Sequence, residues 1–344
     1  MRVLVTGGTG FLGSHVVAAL ERAGHEPLLL VRDPARIVPA LAPLDVPGVA
    51  RIAHVVGDVT DERAVAAATH GVDAVVHAAG LVGVTAANAQ RARATNAHGT
   101  SIVLRAAVRA GAARIVYVST YFVLLPTTAR LLTPTLPIGT LRDPYAATKA
   151  EAEAVARELR ADGAPLTIVY PGSLWGPHDP RSGGAHALAA AMLRGQLLVL
   201  PPGGLDIADV RDVAAAIARA AEPDAARGSY MLSGRYVTLR ELTSALGRVS
   251  GRALAARELP AWSLPPLGAL ARLAGGRLRR LPDAGFARTL AAVRPGDDAP
   301  AAAALGFAAR PLDATLGDTV RALLAAGRID AATAGRAAPD GAVA

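Results

Sequence analysis

Tyr145 and Lys149 stand four residues apart in the run YAATK, and the spacing predicts both side chains on one face of a helix. A free tyrosine loses its proton near pH ~10, too high for efficient acid–base work at neutral pH, and a neighbouring ammonium stabilises the phenolate. Lysine also donates hydrogen bonds to a ribose, a task for which the broad planar fork of arginine is a poor substitute. Composition sharpens the point: of 36 basic residues, Lys149 is the only lysine. The position calls for an ammonium group, and the chemistry open to the pair is proton transfer at a carbonyl or hydroxyl oxygen.

Gly7, Gly10 and Gly13 have GxxGxxG spacing and enclose Phe11 and Leu12, between an apolar run at 2–6 and a helical pattern at 11–23. Glycines there let the backbone approach a pyrophosphate at a helix N-terminus, where free amides and the dipole favour an anion. Alone the motif reads equally as a structural turn; its place between first strand and first helix favours a dinucleotide. The second strand ends Leu30-Val31 and is followed by Arg32, whose fork pairs with a 2′-phosphate that a carboxylate would repel. Arg36 is the candidate for a second phosphate contact. NADP(H) is therefore the expected cofactor, with NAD(H) left open by the adjacent Asp33.

Asp58 and Val59 follow the third strand in GDV; the carboxylate reads either as a partner of the adenine amino group or as a turn former. Ala78, Ala79 and Gly80 close the fourth strand with small residues that leave room for a cofactor. His77 before them reads as a packed strand-end histidine.

These residues need a frame. Apolar runs at 2–6, 27–31, 52–56, 74–77, 114–118 and 166–170 alternate with helical or loop segments, including long helices at 88–110 and 144–160. Such alternation predicts an α/β fold, a Rossmann-type doubly wound parallel sheet with helices on both faces. After Pro171 the elements shorten. Residues 1–170 form the expected nucleotide-binding domain, to which 208–232 return, and 171–330 form mainly a smaller substrate lobe. Residues 331–344 read as a disordered tail. The apolar stretch 262–273 reads as a greasy pocket or as core packing.

Zero cysteines exclude disulfides, thiolate catalysis and cysteine-bound zinc. No metal is expected. No apolar run reaches the roughly 18 to 20 residues that span a bilayer, and the start of the chain enters a strand pattern at once, so no integral membrane association and a cytoplasmic location are expected. The net charge of +8 is spread over scattered arginines without interleaved aromatics, which argues against nucleic acid. The densest cluster, Arg272, Arg277, Arg279 and Arg280, reads as a solvated helix face.

Over residues 1–240 the chain resembles an extended short-chain dehydrogenase/reductase of the NAD(P)-dependent epimerase/dehydratase family, in the dihydroflavonol-reductase-like and 3β-hydroxysteroid-dehydrogenase-like branch. The resemblance rests on TGGTGFLG at 6–13, VRDP at 31–34, GDV at 57–59, HAAG at 77–80, TNAHGT at 95–100, ST at 119–120, YAATK at 145–149 and YPGSLWGP at 170–177. It implies that Thr120 hydrogen-bonds the substrate oxygen, with Ser119 the alternative. It implies Tyr145 as acid and base, and Lys149 as holder of the nicotinamide ribose. Asn96 would hold the helix geometry or a proton-relay water, and Pro171, Gly172, Ser173 and Leu174 would line the nicotinamide. A homodimer through the helices at 88–110 and 145–161 is the implied assembly.

Three departures bear on the substrate. Thr120 is followed by YFVLLP where nucleotide-sugar enzymes commonly carry Val-Tyr-Gly, residues 126–144 lack the usual acidic stretch, and no carboxylate adjoins Thr120 for elimination. The first reading is thus a ketone–alcohol oxidoreductase acting on a small, hydrophobic molecule. The alternatives are a nucleotide-sugar epimerase or dehydratase with tightly bound cofactor, and a non-catalytic dinucleotide sensor, which loss of Tyr145 or Lys149 would mark.

Overall fold

The computed structural model describes residues 1–196, 199–259 and 284–338. Its first half runs β1 (Arg2–Thr6), α1 (Phe11–Arg22), β2 (Glu26–Val31), α2 (Ile37–Leu41), β3 (Ala53–Val56), α3 (Glu62–Thr69), β4 (Ala74–His77), α4 (Ala89–Arg93), α5 (Thr100–Arg109), β5 (Arg114–Val118), α6 (Pro144–Ala161) and β6 (Leu166–Pro171). The second half adds β7 (Ser173–Trp175), α7 (Gly184–Leu193), β8 (Val199–Leu200), β9 (Gly204–Asp209), α8 (Val210–Ala220), β10 (Ser229–Leu232), β11 (Arg235–Thr238), α9 (Leu239–Ser250) and β12 (Arg257–Glu258). After these come α10 (Ala284–Ala292), α11 (Ala299–Leu305), α12 (Leu312–Ala325) and α13 (Ala331–Ala334).

Seven strands form one parallel sheet in the order β10-β6-β5-β4-β1-β2-β3. The alternation of side chains along β1 shows why both faces are covered: Val3 and Val5 enter the core beneath α1, α2, α8 and α11, while Leu4 enters the core beneath α3, α5 and α6. The chain moves outward in opposite directions from β1 and β4, so their carboxyl ends part and leave a crevice between them. Register aligns Thr6 with His77, which sets Gly7 beside Ala78 at its floor.

A second, three-stranded sheet, β11-β9-β7, starts two residues after β6 ends and carries α7, α9 and α12 around Trp175. Gly172 makes the join: a Cβ there would lie 2.4 Å from the Ser233 carbonyl oxygen and 2.7 Å from that of Asp206. No side chain fits between the two sheets at that point.

Three features differ from the sequence reading. The expected helix at 88–110 contains a π-helical turn at 94–99 between α4 and α5, because apolar periodicity does not register one surplus residue. Within the stretch assigned to the small lobe, α11 packs back on α8 and β10, and Ala301, Leu305 and Phe307 join the main core. Of the expected tail, residues 331–337 are ordered as α13 and a 3-10 turn, held by buried Ala334 and Ala337. Arg252 adds a hydrogen bond to the Thr333 carbonyl at 3.1 Å, so contacts from distant residues dock a segment whose composition alone looks structureless. Residues 339–344, the apolar stretch 262–273 and the arginine cluster at 272–280 lie outside the described residues.

Candidate active site

The turn after β1 is shaped by contacts that only glycine permits. Gly7 has φ +76°, and a Cβ on it would lie 2.8 Å from the Ala79 nitrogen; one on Gly13 would lie 2.0 Å from the Gly7 carbonyl oxygen. The Gly10 amide donates to that same oxygen at 2.8 Å, and α1 begins with Gly10 as its N-cap and no side-chain cap. The first-turn amides of Phe11 and Leu12 are thereby available to an anion, with Ala78, Ala79 and Gly80 opposite. The cradle fits a dinucleotide: close backbone, no intruding side chain, positive dipole end.

At the far end of the crevice, Asp33 is occupied locally. It accepts from the Ala35 amide at 3.1 Å and lies 3.4 Å from Arg36. Arg32 is 60% exposed and reaches Asp58 at 3.6 Å. Asp58 also accepts from the amide and the hydroxyl of Thr60, at 3.0 and 2.9 Å, so it is a turn former whose second oxygen faces Arg32. Val59 is buried against Gly99 of the π turn, where a Cβ would come within 2.7 Å of it.

His77 is fully buried and its tautomer follows from its neighbours. Thr100 donates to the Asn96 carbonyl oxygen at 2.6 Å, so its own oxygen accepts from His77 Nε2 at 2.9 Å and Nδ1 accepts from the Thr6 hydroxyl at 2.7 Å. Burial pushes the ring down to about 3, so it is neutral and cross-links β1, β4 and α5. The packed strand-end histidine of the sequence reading is what the geometry contains.

Tyr145 and Lys149, the candidate acid–base pair, sit on α6, which Asp143 caps through the Ala146 amide at 2.8 Å, with Pro144 in the first turn. Thr120 follows Ser119 in extended backbone, so the two hydroxyls point to opposite sides. Thr120 meets the Tyr145 hydroxyl, whereas Ser119 donates to Glu153 at 2.6 Å. Of the two candidates, Thr120 is the one beside the tyrosine. Burial pushes Tyr145 up to about 12, partly offset by the Thr120 hydrogen bond.

Lys149 is buried and donates to the Val118 carbonyl oxygen at 2.8 Å, with its Nζ 4.4 Å from the centre of the Tyr117 ring. Burial brings it down to about 7, against the opposing pull of Glu153. Lys149 is not among the groups that shift Tyr145: its ammonium bonds to the strand, and desolvation dominates at the phenol.

Asn96 lies in the π turn with all its amide atoms engaged. Its Oδ1 accepts from the Leu81 amide at 2.7 Å, and its Nδ2 donates to the Leu81 carbonyl at 3.0 Å and to Thr148 at 2.9 Å. Thr148 in turn donates to the Tyr145 carbonyl at 2.8 Å. The side chain therefore clamps the loop after β4 to the helix of the acid–base pair, the geometric half of the two roles implied for it. Pro171 is buried at the end of β6, Ser173 accepts from Trp175 Nε1 at 3.1 Å, and Leu174 packs on the main core. Among the described residues no group of histidine and carboxylate side chains could hold a metal ion.

Two participants were missed from sequence. Thr148 and Glu153 sit on the buried side of α6, and Glu153 continues the four-residue step of Tyr145 and Lys149. That step was readable; burial of a carboxylate on it was not.

A model of the NAD dependent epimerase/dehydratase family matches residues 3–232. The chain belongs to that family. As a family member it is an NAD(P)-dependent oxidoreductase acting at a CH–OH group. It is 28% identical over 272 residues to sterol demethylase protein B of Methylococcus capsulatus, covering 77% of this chain and 78% of that protein. It is 33% identical over 264 residues to 2-alkyl-3-oxoalkanoate reductase of Stenotrophomonas maltophilia, covering 72% and 74%. Among solved structures it is similar to a double mutant of DesIV, a dTDP-glucose 4,6-dehydratase of Streptomyces venezuelae with NAD bound, with a TM-score of 0.71, 27% identity and coverage of 94% and 97%.

One more histidine borders the cofactor turn of this epimerase/dehydratase-family protein. His15 stacks edge-on with Phe11 and donates from Nε2 to the Pro177 carbonyl at 3.0 Å, and burial lowers it from 6.5 to about 4. The unfolded chain takes up this proton as pH falls through 6.5; the folded chain does so only near 4, so stability is full above that window and declines within it. The loss of unfolding free energy between pH 8 and pH 5 should be about 2 kcal/mol smaller in His15→Asn than in the unaltered protein. Urea unfolding at the two pH values checks this, and equal losses contradict a neutral His15.

Proposed function

We propose that this protein is an NADP(H)-dependent oxidoreductase that interconverts a ketone and a secondary alcohol on a small, hydrophobic substrate. The observation that carries the proposal is the placement of Tyr145 and Lys149 one helical turn apart on α6, with Thr120 beside the Tyr145 hydroxyl and Asn96 tying that helix to the loop after β4. The nicotinamide, when bound, supplies or accepts the hydride. Thr120 holds the substrate oxygen, and Tyr145 gives its proton to that oxygen as the hydride adds to the carbon, or takes it back in oxidation. Lys149 would hold the nicotinamide ribose, and its ammonium would stabilise the phenolate that reduction leaves on Tyr145.

A hydrophobic substrate is favoured by the run YFVLLP after Thr120, in which no carboxylate follows the threonine and from which the partly buried Phe122 lies edge-on to the Tyr145 ring. The similarity to the sterol demethylase and oxoalkanoate reductase proteins points the same way. The competing reading, a nucleotide-sugar epimerase or dehydratase, has the DesIV likeness in its favour and consumes no net cofactor. Screening ketones and alcohols for a change in nicotinamide absorbance separates the two.

The preference for NADP(H) rests on Arg32 and Arg36, both more than half exposed at the ribose end, and on Asp33 being engaged with its own turn. A cytoplasmic location belongs to the same proposal, since a cysteine-free chain has no use for an oxidising compartment. So does a homodimer formed through the helices that pack on α6, where α4 is joined to it by Arg93–Glu151 at 2.9 Å and α5 by Arg105–Glu158 at 3.0 Å.

Three expected outcomes follow. Tyr145→Phe and Lys149→Arg each lower single-turnover hydride transfer by at least about 100-fold with the fold intact, as loss of a positioned acid–base group does; near-native transfer in Lys149→Arg would end the mechanism. Arg32→Ala weakens NADPH binding by about 1.5 to 3 kcal/mol and leaves NADH binding alone, read by titrating both cofactors. Light scattering at working concentration gives twice the chain mass, and a monomer refutes the dimer.

A further inference from the structure

Four side chains succeed one another along the inner face of α6 at four-residue steps: Tyr145, Lys149, Glu153 and Arg157. The proposed reaction uses the first two. Glu153 has no solvent exposure at all, which for a carboxylate demands donors, and it has three. Its Oε2 accepts from the Ser119 hydroxyl at 2.6 Å, and its Oε1 accepts from the Tyr170 hydroxyl at 2.5 Å and from Arg157 Nε at 2.8 Å. Arg157 is itself held by the Leu136 carbonyl at 2.8 Å.

The Ser119 contact places this carboxylate at the centre of the site's geometry. Ser119 lies between Val118, whose carbonyl receives Lys149, and Thr120, whose hydroxyl meets Tyr145. Fastening the middle residue fixes the direction of both neighbours. We propose that Glu153 is a positioning residue for the Tyr145–Lys149 pair: it ties the end of β5 to α6 through Ser119 and faces the Lys149 ammonium with a negative charge one helical turn away.

The electrostatics support the geometry. Burial drives Lys149 toward its neutral form, and Glu153 opposes it. Among the described residues, the other titratable or charged groups that face this lysine are Tyr117 from β5, His77 from β4 and Tyr145 from α6, with Tyr170 and Arg157 beyond Glu153. His77 is neutral and neither tyrosine is ionised at neutral pH, so Glu153 is the one anion in this group.

The inference rests on the Tyr145–Lys149 reading, and the sole lysine supplies a test that needs no substrate. Isotopic labelling of lysine Cε gives a single lysine side-chain resonance, whose shift against pH reports the protonation of Lys149. In Glu153→Gln the titration midpoint should fall by about one pH unit or more, the effect of losing an opposite charge at this range. A role confined to packing would leave the midpoint in place. Ser119→Ala cuts the tie to β5 without touching the charge; it should leave the midpoint unchanged and slow single-turnover hydride transfer by about tenfold. An unmoved midpoint in folded Glu153→Gln overturns the charge role, and native transfer in Ser119→Ala overturns the tie. If Glu153→Gln does not fold, Ser119→Ala decides. Native turnover in Lys149→Arg would instead overturn the active-site reading, while the lysine titration would still report on the Glu153 contact.

Discussion

Burying an ammonium group in a protein interior costs several kcal/mol unless charge and donors meet it, and much of the architecture around the crevice serves that requirement. Lys149 has 4% exposure. A carbonyl from the end of β5 takes its hydrogen bond, an aromatic face from the same strand lies under it, and a carboxylate waits one turn further along its own helix. Each partner is itself pinned: Tyr117 stacks on the neutral His77, and Glu153 is held by three donors from β5, β6 and α6. The cation is thus kept out of water by groups that are each anchored elsewhere in the fold.

The crevice is equally a product of where side chains are missing. Gly7, Gly13 and Gly172 each sit where a Cβ would collide with backbone, at the nucleotide turn in the first two cases and at the junction of the two sheets in the third. The neutral His77 belongs to the same economy of means. By accepting from β1 and donating to α5, it holds the two strands whose carboxyl ends open the crevice without placing a charge beside the cofactor.

What was readable in the sequence divides along physical lines. β4 and β5 begin and end where the apolar runs do, because strands buried on both faces read as near-continuous apolar segments. The glycine turn and the Tyr–Lys step were legible for a similar reason: each depends on spacing within a few residues of chain. Glu153 was not, since its value comes from Ser119 and Tyr170, 34 and 17 residues away. The return of α11 to the main core and the docking of 331–337 were hidden too, because alanine-rich segments carry weak periodicity whether they pack or not. Asp58 is an intermediate case, with one oxygen in the local turn that its sequence announced and the other turned to an arginine that only the fold brings near.

The π turn at 94–99 has a consequence for the history of the chain. A six-residue π segment inside a helix is an α-helix carrying one inserted residue, and excision of that residue would restore an uninterrupted helix with better backbone hydrogen bonds. It would also rotate everything on one side of the excision by about 100° relative to the other. Asn96 would then point away from Leu81 and Thr148, and Gly99 would lose its seat against Val59. The local defect and the placement of the clamp cannot be selected separately: any lineage that regularised this helix would have to find a new anchor for the loop beside the cofactor crevice.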